Sequence, residues 1–279
     1  MKKLVAKGAK RPYWEYVDKP AHKLRDEFVA LLDEEHPEQF YQSYIEKNTR
    51  LVPREFVQNH GIHFDLVLRK LSFGADYKSD FAYLSKSSDD WNCVLVEIES
   101  PGARFFKDES NEFHKDFLKA IQQINIWRAW FLEPTNKAGF ADNTVGLIRV
   151  PLNRNPTHPK FVLVHGRRSE YGRSPIRRRL IAAQEVDDLK ILTFDSLAES
   201  LHTKHDLYVG ARRNEYIEIV SDVFLNESMF SWMEPEQIRI GKRLKASALA
   251  ARDQWFHYNG DNDLAMEVAL PRVRLRSLT

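Results

Sequence analysis

Between Ile62 and Glu99 the chain carries three apolar stretches separated by two short polar ones. In the first, IHFDLVLRKL, Ile62, Phe64, Leu66 and Leu68 take every second position. That is the period of a strand, on which side chains two apart share a face. DFAYLS and NCVLVEIE follow, after the polar turns FGADYKSD and SKSSDDW. Connections this short join antiparallel neighbours, so the region is predicted to fold as a three-stranded meander.

Helices are predicted on both sides of it. Leu24, Phe28, Leu31 and Leu32 recur at helical spacing within residues 22–47, and His36-Pro37 divides that stretch into two helices. A long helix is expected from about Glu109 to Leu132, with Phe113, Phe117, Ile121, Ile124 and Phe131 as its buried stripe and Pro134 closing it. After an irregular stretch rich in Pro and Asn, KFVLVHG reads as a strand and Pro175–Lys190 as a helix. ILTF reads as the last buried strand, with Asp195 capping the helix that begins SLAES. Beyond residue 210, KASALAARDQWF reads as helical and PRVRLRSLT as a mobile tail.

Strands first, then helix, strand, helix and strand give a mixed α/β (α+β) class, a mixed central sheet flanked by helices. Three segments follow: a helical one at 1–59, a core at 60–209, and an extension at 210–279 suited to oligomerisation or regulation. A hydrophobic content of 43% is enough for a core of that size. Cys93 is the single cysteine, which excludes an internal disulfide framework and a Cys-type zinc site. The basic start MKKLVAKGAKRPYWEY has no apolar core of a signal peptide, and no run approaches the roughly 20 apolar residues of a membrane span. A soluble, cytoplasmic protein with no membrane partner is therefore expected.

The functional signal lies where the third strand ends. Glu97 and Glu99 are two apart and project to one side. Carboxylates sharing a face repel unless something positive lies between them, and hard oxygen ligands suit Mg²⁺ or Mn²⁺. Asp80, at the start of the preceding strand, is placed by hairpin geometry beside Glu97. On the next helix Lys119, Gln123 and Trp127 fall along one line at intervals of four, while Gln122 falls off it. Each has an ordinary reading too: a charged strand end, a solvated lysine, a polar residue at the edge of a buried stripe. His60, His63, His158, His165, His202 and His205 are scattered and show no metal-ligand spacing, and His114 reads as a surface histidine.

An acid at a turn, E-x-E at the end of the next apolar strand, and then a helix is the order of the PD-(D/E)xK nuclease core, which this region resembles. Ser79 stands where that motif has Pro, and Glu99 where it usually has Lys. More closely, KSDFAYLS, WNCVLVEIESPGARFF, FLKAIQQINIWRAWF, FVLVHGRRSEYGR and ILTFDSLAE occur in the order seen in the Shedu anti-phage defence nucleases. EEHPEQF resembles the helix that precedes the core in that family. The resemblance covers about residues 60–200 and implies a PD-(D/E)xK-type core that cuts or nicks DNA, phage-derived, with Mg²⁺ or Mn²⁺, in a homo-oligomer (dimer or tetramer). Asp80, Glu97 and Glu99 would be the acidic metal centre, Gln123 the helix residue that orients it, and Lys119 a source of the positive charge absent at position 99.

DNA contact is expected of HGRRSEYGRSPIRRRL, which holds Arg167, Arg168, Arg173, Arg177, Arg178 and Arg179, with Tyr171 available to stack. Arg104 and Lys107 are further candidates. The formal net charge of +2 gives no overall signal, so the argument rests on this clustering. The alternative is a degenerate core, a DNA-binding or scaffold protein that keeps the fold without catalysis. An RNA-processing relative and a plain interaction protein are further rivals, separable by a panel of substrates.

Overall fold

A computed structural model describes residues 20–58, 63–144, 146, 148, 152–220, 238–240 and 274–275. Two helices lead, α1 (Ala21–Leu31) and α2 (Glu38–Lys47). The meander follows as β1 (His63–Phe73), β2 (Tyr77–Lys86) and β3 (Trp91–Ile98), with antiparallel pairing at both hairpins. Next come α3 (Lys115–Leu132), α4 (Pro134–Thr144), β4 (Thr157–Val164), α5 (Pro175–Ala182), β5 (Leu189–Leu192) and α6 (Phe194–Leu197). The chain closes the described part with β6 (Tyr208–Arg212), β7 (Ile217–Ile219), β8 (Ile238–Ile240) and β9 (Arg274–Leu275). The strand order is β5-β4-β3-β2-β1-β6-β7-β8-β9, parallel between β3, β4 and β5 and between β1 and β6. The mixed α/β class read from the sequence is the class of the molecule.

Strand alternation builds two cores from one sheet. Trp91, Cys93 and Leu95 of β3 join Phe117, Ile124, Trp127 and Phe131 of α3 on one face. Val94, Val96 and Ile98 join Leu24 and Phe28 of α1 and Tyr41 and Ile45 of α2 on the other. Trp127 packs edge-on against Phe73, with ring centroids 5.2 Å apart. Cys93 is buried and its thiol pKa is pushed up by that burial, as suits a core residue.

Several boundaries differ from the expectation, each for a local reason. The helix predicted from Glu109 begins at Lys115. Glu109 has φ +50, which a helix cannot contain, and Phe113 pairs as an antiparallel bridge with Phe106. His114 then caps α3, its Nδ1 accepting from Asp116 N. Pro134 starts α4, where an irregular stretch was expected, because proline suits a first helical turn. The helix expected over Pro175–Lys190 stops at Ala182, and Lys190 lies in β5. Thr193, not Asp195, caps α6. The strand ILTF is not the last, since β6 and β7 extend the sheet beyond β1. The expected helix KASALAARDQWF lies outside the described residues, as does the tail apart from Arg274–Leu275, which form β9.

Candidate active site

The site forms where β2 and β3 part. Their ladder runs from the pair Lys86–Trp91 to the pair Phe81–Val96 and goes no further. One residue on, Asp80 turns its carboxylate into the gap, and Oδ2 accepts from Ile98 N at 2.8 Å. A side chain thus replaces the backbone acceptor that a continued strand would supply. Asp80 is buried, at 6% exposure, and sits four residues into β2 rather than at its start.

Glu97 points to the face of α3, where Gln123 Nε2 donates to its Oε1. Its Oε2 is buried and has no hydrogen-bond partner. Burial, then the neighbouring Asp80 and Glu99, push the Glu97 carboxyl up to about 9. Glu99 is raised too, chiefly by burial and then by Glu38 and Asp80, with Lys119 acting against them. Asp80 is raised by burial against the opposing effect of Lys70 and the Ile98 amide. The structure therefore brings Asp80, Glu97, Glu99 and Gln123 together, with Lys119 exposed one turn of α3 before Gln123. Gln122 is exposed, and Gln123 is the half-buried member of the pair.

Three participants escaped the sequence reading. Lys70 Nζ donates to Asp80 Oδ1 and to Gln42 Oε1. Gln42 Nε2 in turn donates to Glu38 Oε1 at 2.6 Å. Glu38 is raised by burial and by Asp80. A signal for Lys70 does exist in the sequence. Leu66 and Leu68 predict an apolar residue at 70, but Lys stands there and the apolar series resumes at Leu71. In the structure Lys70 has φ +47, and this single left-handed residue lets Leu68 and Leu71 share one core.

Metal fit is mixed. No three His, Cys, Asp or Glu side chains among the described residues converge as a ready set of metal ligands. Asp80 has both oxygens engaged, by Lys70 and by the Ile98 amide. Glu97 Oε2, buried, unpartnered and flanked by like charges, is nonetheless an oxygen that a hard cation would satisfy. Beside Glu99 an open groove runs between the α1–α2 connection (Asp33, Glu34, His36) and the loop Ser100–Ala103.

The basic residues divide into two groups. Arg167 bonds Asp195, Asp33 and the Leu32 carbonyl, each at 2.8–3.0 Å. Arg168 pairs with Glu199, and Arg177 donates to the carbonyls of Glu170, Lys107 and Ser110 while lying over the Phe106 ring. Arg104 pairs with Asp108 through two hydrogen bonds, and Lys107 with Glu112. Tyr171 packs edge-on against Phe105. Arg173, Arg178 and Arg179 are exposed at and along α5.

Residues 35–198, more than half of the chain, match the family model of the Shedu protein SduA, C-terminal. The chain belongs to the Shedu family. That family is one of anti-phage defence, and its match begins in the α1–α2 connection and ends with α6. It therefore takes in α2, with Glu38 and Gln42, as well as the three strands of the site. No functionally curated protein matches the chain. Among the described residues no helix is long and apolar enough to cross a membrane.

Proposed function

We propose that this Shedu protein is a Mg²⁺- or Mn²⁺-dependent deoxyribonuclease with a PD-(D/E)xK-type core, nicking or cutting phage-derived DNA in the cytoplasm as a homo-oligomer. Glu97 carries the reading. A carboxylate held out of water beside two others, with one oxygen unanswered, is costly to the fold. A divalent cation is the partner that would answer it. Glu97 Oε2 and Glu99 would hold the ion, with Asp80 joining them only if it shares an oxygen that now accepts from Lys70 or the Ile98 amide; the ion when bound polarises a phosphodiester and lowers the pKa of water.

The chain's own groups supply the rest. Gln123 fixes Glu97 by holding Oε1, which leaves Oε2 as the available oxygen. Glu99, the more exposed end of the E-x-E pair, would complete the metal's shell or take the proton of the attacking water. Lys119 lends positive charge from the rim. Arg173, Arg178 and Arg179 would grip the DNA backbone, which gives affinity without reading sequence.

A second reading rests on position 99, where Glu replaces the motif lysine: a degenerate core that binds DNA and spares it. Supercoiled plasmid incubated with Mg²⁺ and then Mn²⁺ separates the two. The wild type is expected to cut, EDTA to stop it, and Glu97→Ala to lose on the order of 10²-fold or more in rate. Cutting that survives chelation refutes the mechanism. DNA binding without cutting by either protein favours the degenerate core.

A further inference from the structure

The site still needs a cation at the reacting phosphate. Arg104 is held by Asp108, and Lys119 lies exposed on α3. Lys70 touches Asp80 itself through its ammonium. It lies directly across from Asp80 in the β1–β2 ladder, between the pairs Arg69–Phe81 and Leu71–Ser79. Gln42 accepts its second hydrogen bond, and Gln42 is in turn fixed by Glu38. The Lys70 side chain is 48% exposed, whereas that of Asp80 is 8% exposed, so the ammonium sits at the solvent side of the carboxylate. Its backbone adopts φ +47, a conformation unfavourable to any residue with a Cβ.

We infer that Lys70 is the catalytic cation of this site and takes the part of the lysine missing at position 99. This rests on the nuclease reading above. In the reaction a water oxygen forms the new bond to phosphorus, its proton passes to the Glu99 carboxylate, and the bond to the departing oxygen breaks, its electron pair leaving with that oxygen, which takes a proton from solvent water. Lys70 donates one hydrogen bond to a non-bridging phosphate oxygen, where negative charge grows. The link through Gln42 and Glu38 makes α2 part of the catalytic apparatus, although it precedes the sheet in sequence.

The test compares wild type, Lys70→Met and Lys70→Arg by three readouts. These are thermal melting, Mn²⁺ binding followed by electron paramagnetic resonance, and single-turnover cleavage of a labelled duplex. Lys70→Met is expected to fold and to bind Mn²⁺ at least as tightly as wild type. It should cut about 100-fold more slowly, with the loss in the rate and not in DNA affinity. Lys70→Arg should recover at least about tenfold of that loss, since it keeps the charge. If the Met variant does not melt cooperatively, Lys70→Gln carries the same expectation, because its amide can still bond Asp80.

Cleavage by Lys70→Met at the wild-type rate refutes the inference and leaves the nuclease reading standing. Loss of Mn²⁺ binding together with cleavage makes Lys70 a support for Asp80 only, and also refutes it. A wild type that cuts with neither metal overturns both.

Discussion

The acidic site and the arginine segment are both crowded with charge, yet they are built on opposite terms. Around the split of β2 and β3, Glu38, Asp80, Glu97 and Glu99 all have their carboxyls pushed up, with burial the largest cause each time. In the arginine segment nearly every inner charge is answered. Arg167 has Asp195 and Asp33, Arg168 has Glu199, and Arg177 has three carbonyls. The difference separates two uses of charge. The inner arginines are explained by folding, since they stitch the loop after β4 to α6 and to the α1–α2 connection. Asp80 apart, whose carboxylate takes the Ile98 amide, the acids are not explained by folding, because they work against it.

The sharpest way to break this contrast is Arg167→Ala. It strands Oδ1 of Asp195 and the Leu32 carbonyl in a half-buried place. A loss of about 2–3 kcal/mol is expected, or roughly 5 °C in Tm, with the salt dependence of DNA binding unchanged. An unchanged Tm and a shallower salt slope would move Arg167 to the DNA-binding group.

The acids make the reverse prediction. Their folded-state pKa values lie above those of the unfolded chain, so the folded protein holds protons that the unfolded chain has released. Metal-free stability should therefore be full below about pH 4.5 as far as Glu97 is concerned, and should fall as pH rises toward about 9. Glu97→Gln should flatten that fall and raise Tm at pH 8 by about 2–4 °C, while abolishing cleavage. Melting of both proteins from pH 5 to 9 in EDTA checks this. A slope unchanged by the substitution would mean that Glu97 is already compensated.

The smallest effect belongs to the outer arginines. Arg178→Ala with Arg179→Ala should shift stability by no more than about 0.5 kcal/mol. The same pair should reduce the salt slope of DNA binding by about two. If Arg168→Ala did the same, inner and outer arginines would not be distinct.

Much of this was legible because strand alternation is a strong signal. It placed Glu97 and Glu99 where β3 ends, and helical spacing separated Gln123 from Gln122, whose exposure differs as the helical line predicts. What escaped depends on contacts distant in sequence. The α3 boundary is set by Phe106, which pairs with Phe113 and removes it from the helix. Asp195 is an eligible cap by residue type, but Arg167 and the Arg168 amide occupy its carboxylate. Lys70 was visible as a break in alternation, yet its partners Asp80 and Gln42 are supplied by two other elements. α4 was hidden by its Pro and Asn content, though Pro134 stands at the one position of a helix where proline is favourable.

The carboxylate of Asp80 does the work of a peptide carbonyl, closing the last rung between β2 and β3. This would couple the history of the proposed activity to that of the fold. Under the proposed nuclease reading, a lineage losing its need to cut DNA would shed Glu99 or Lys119 at little structural cost, since neither side chain completes the sheet. Asp80 would be the last of the acids to go, and a descendant that had fallen silent would still carry it.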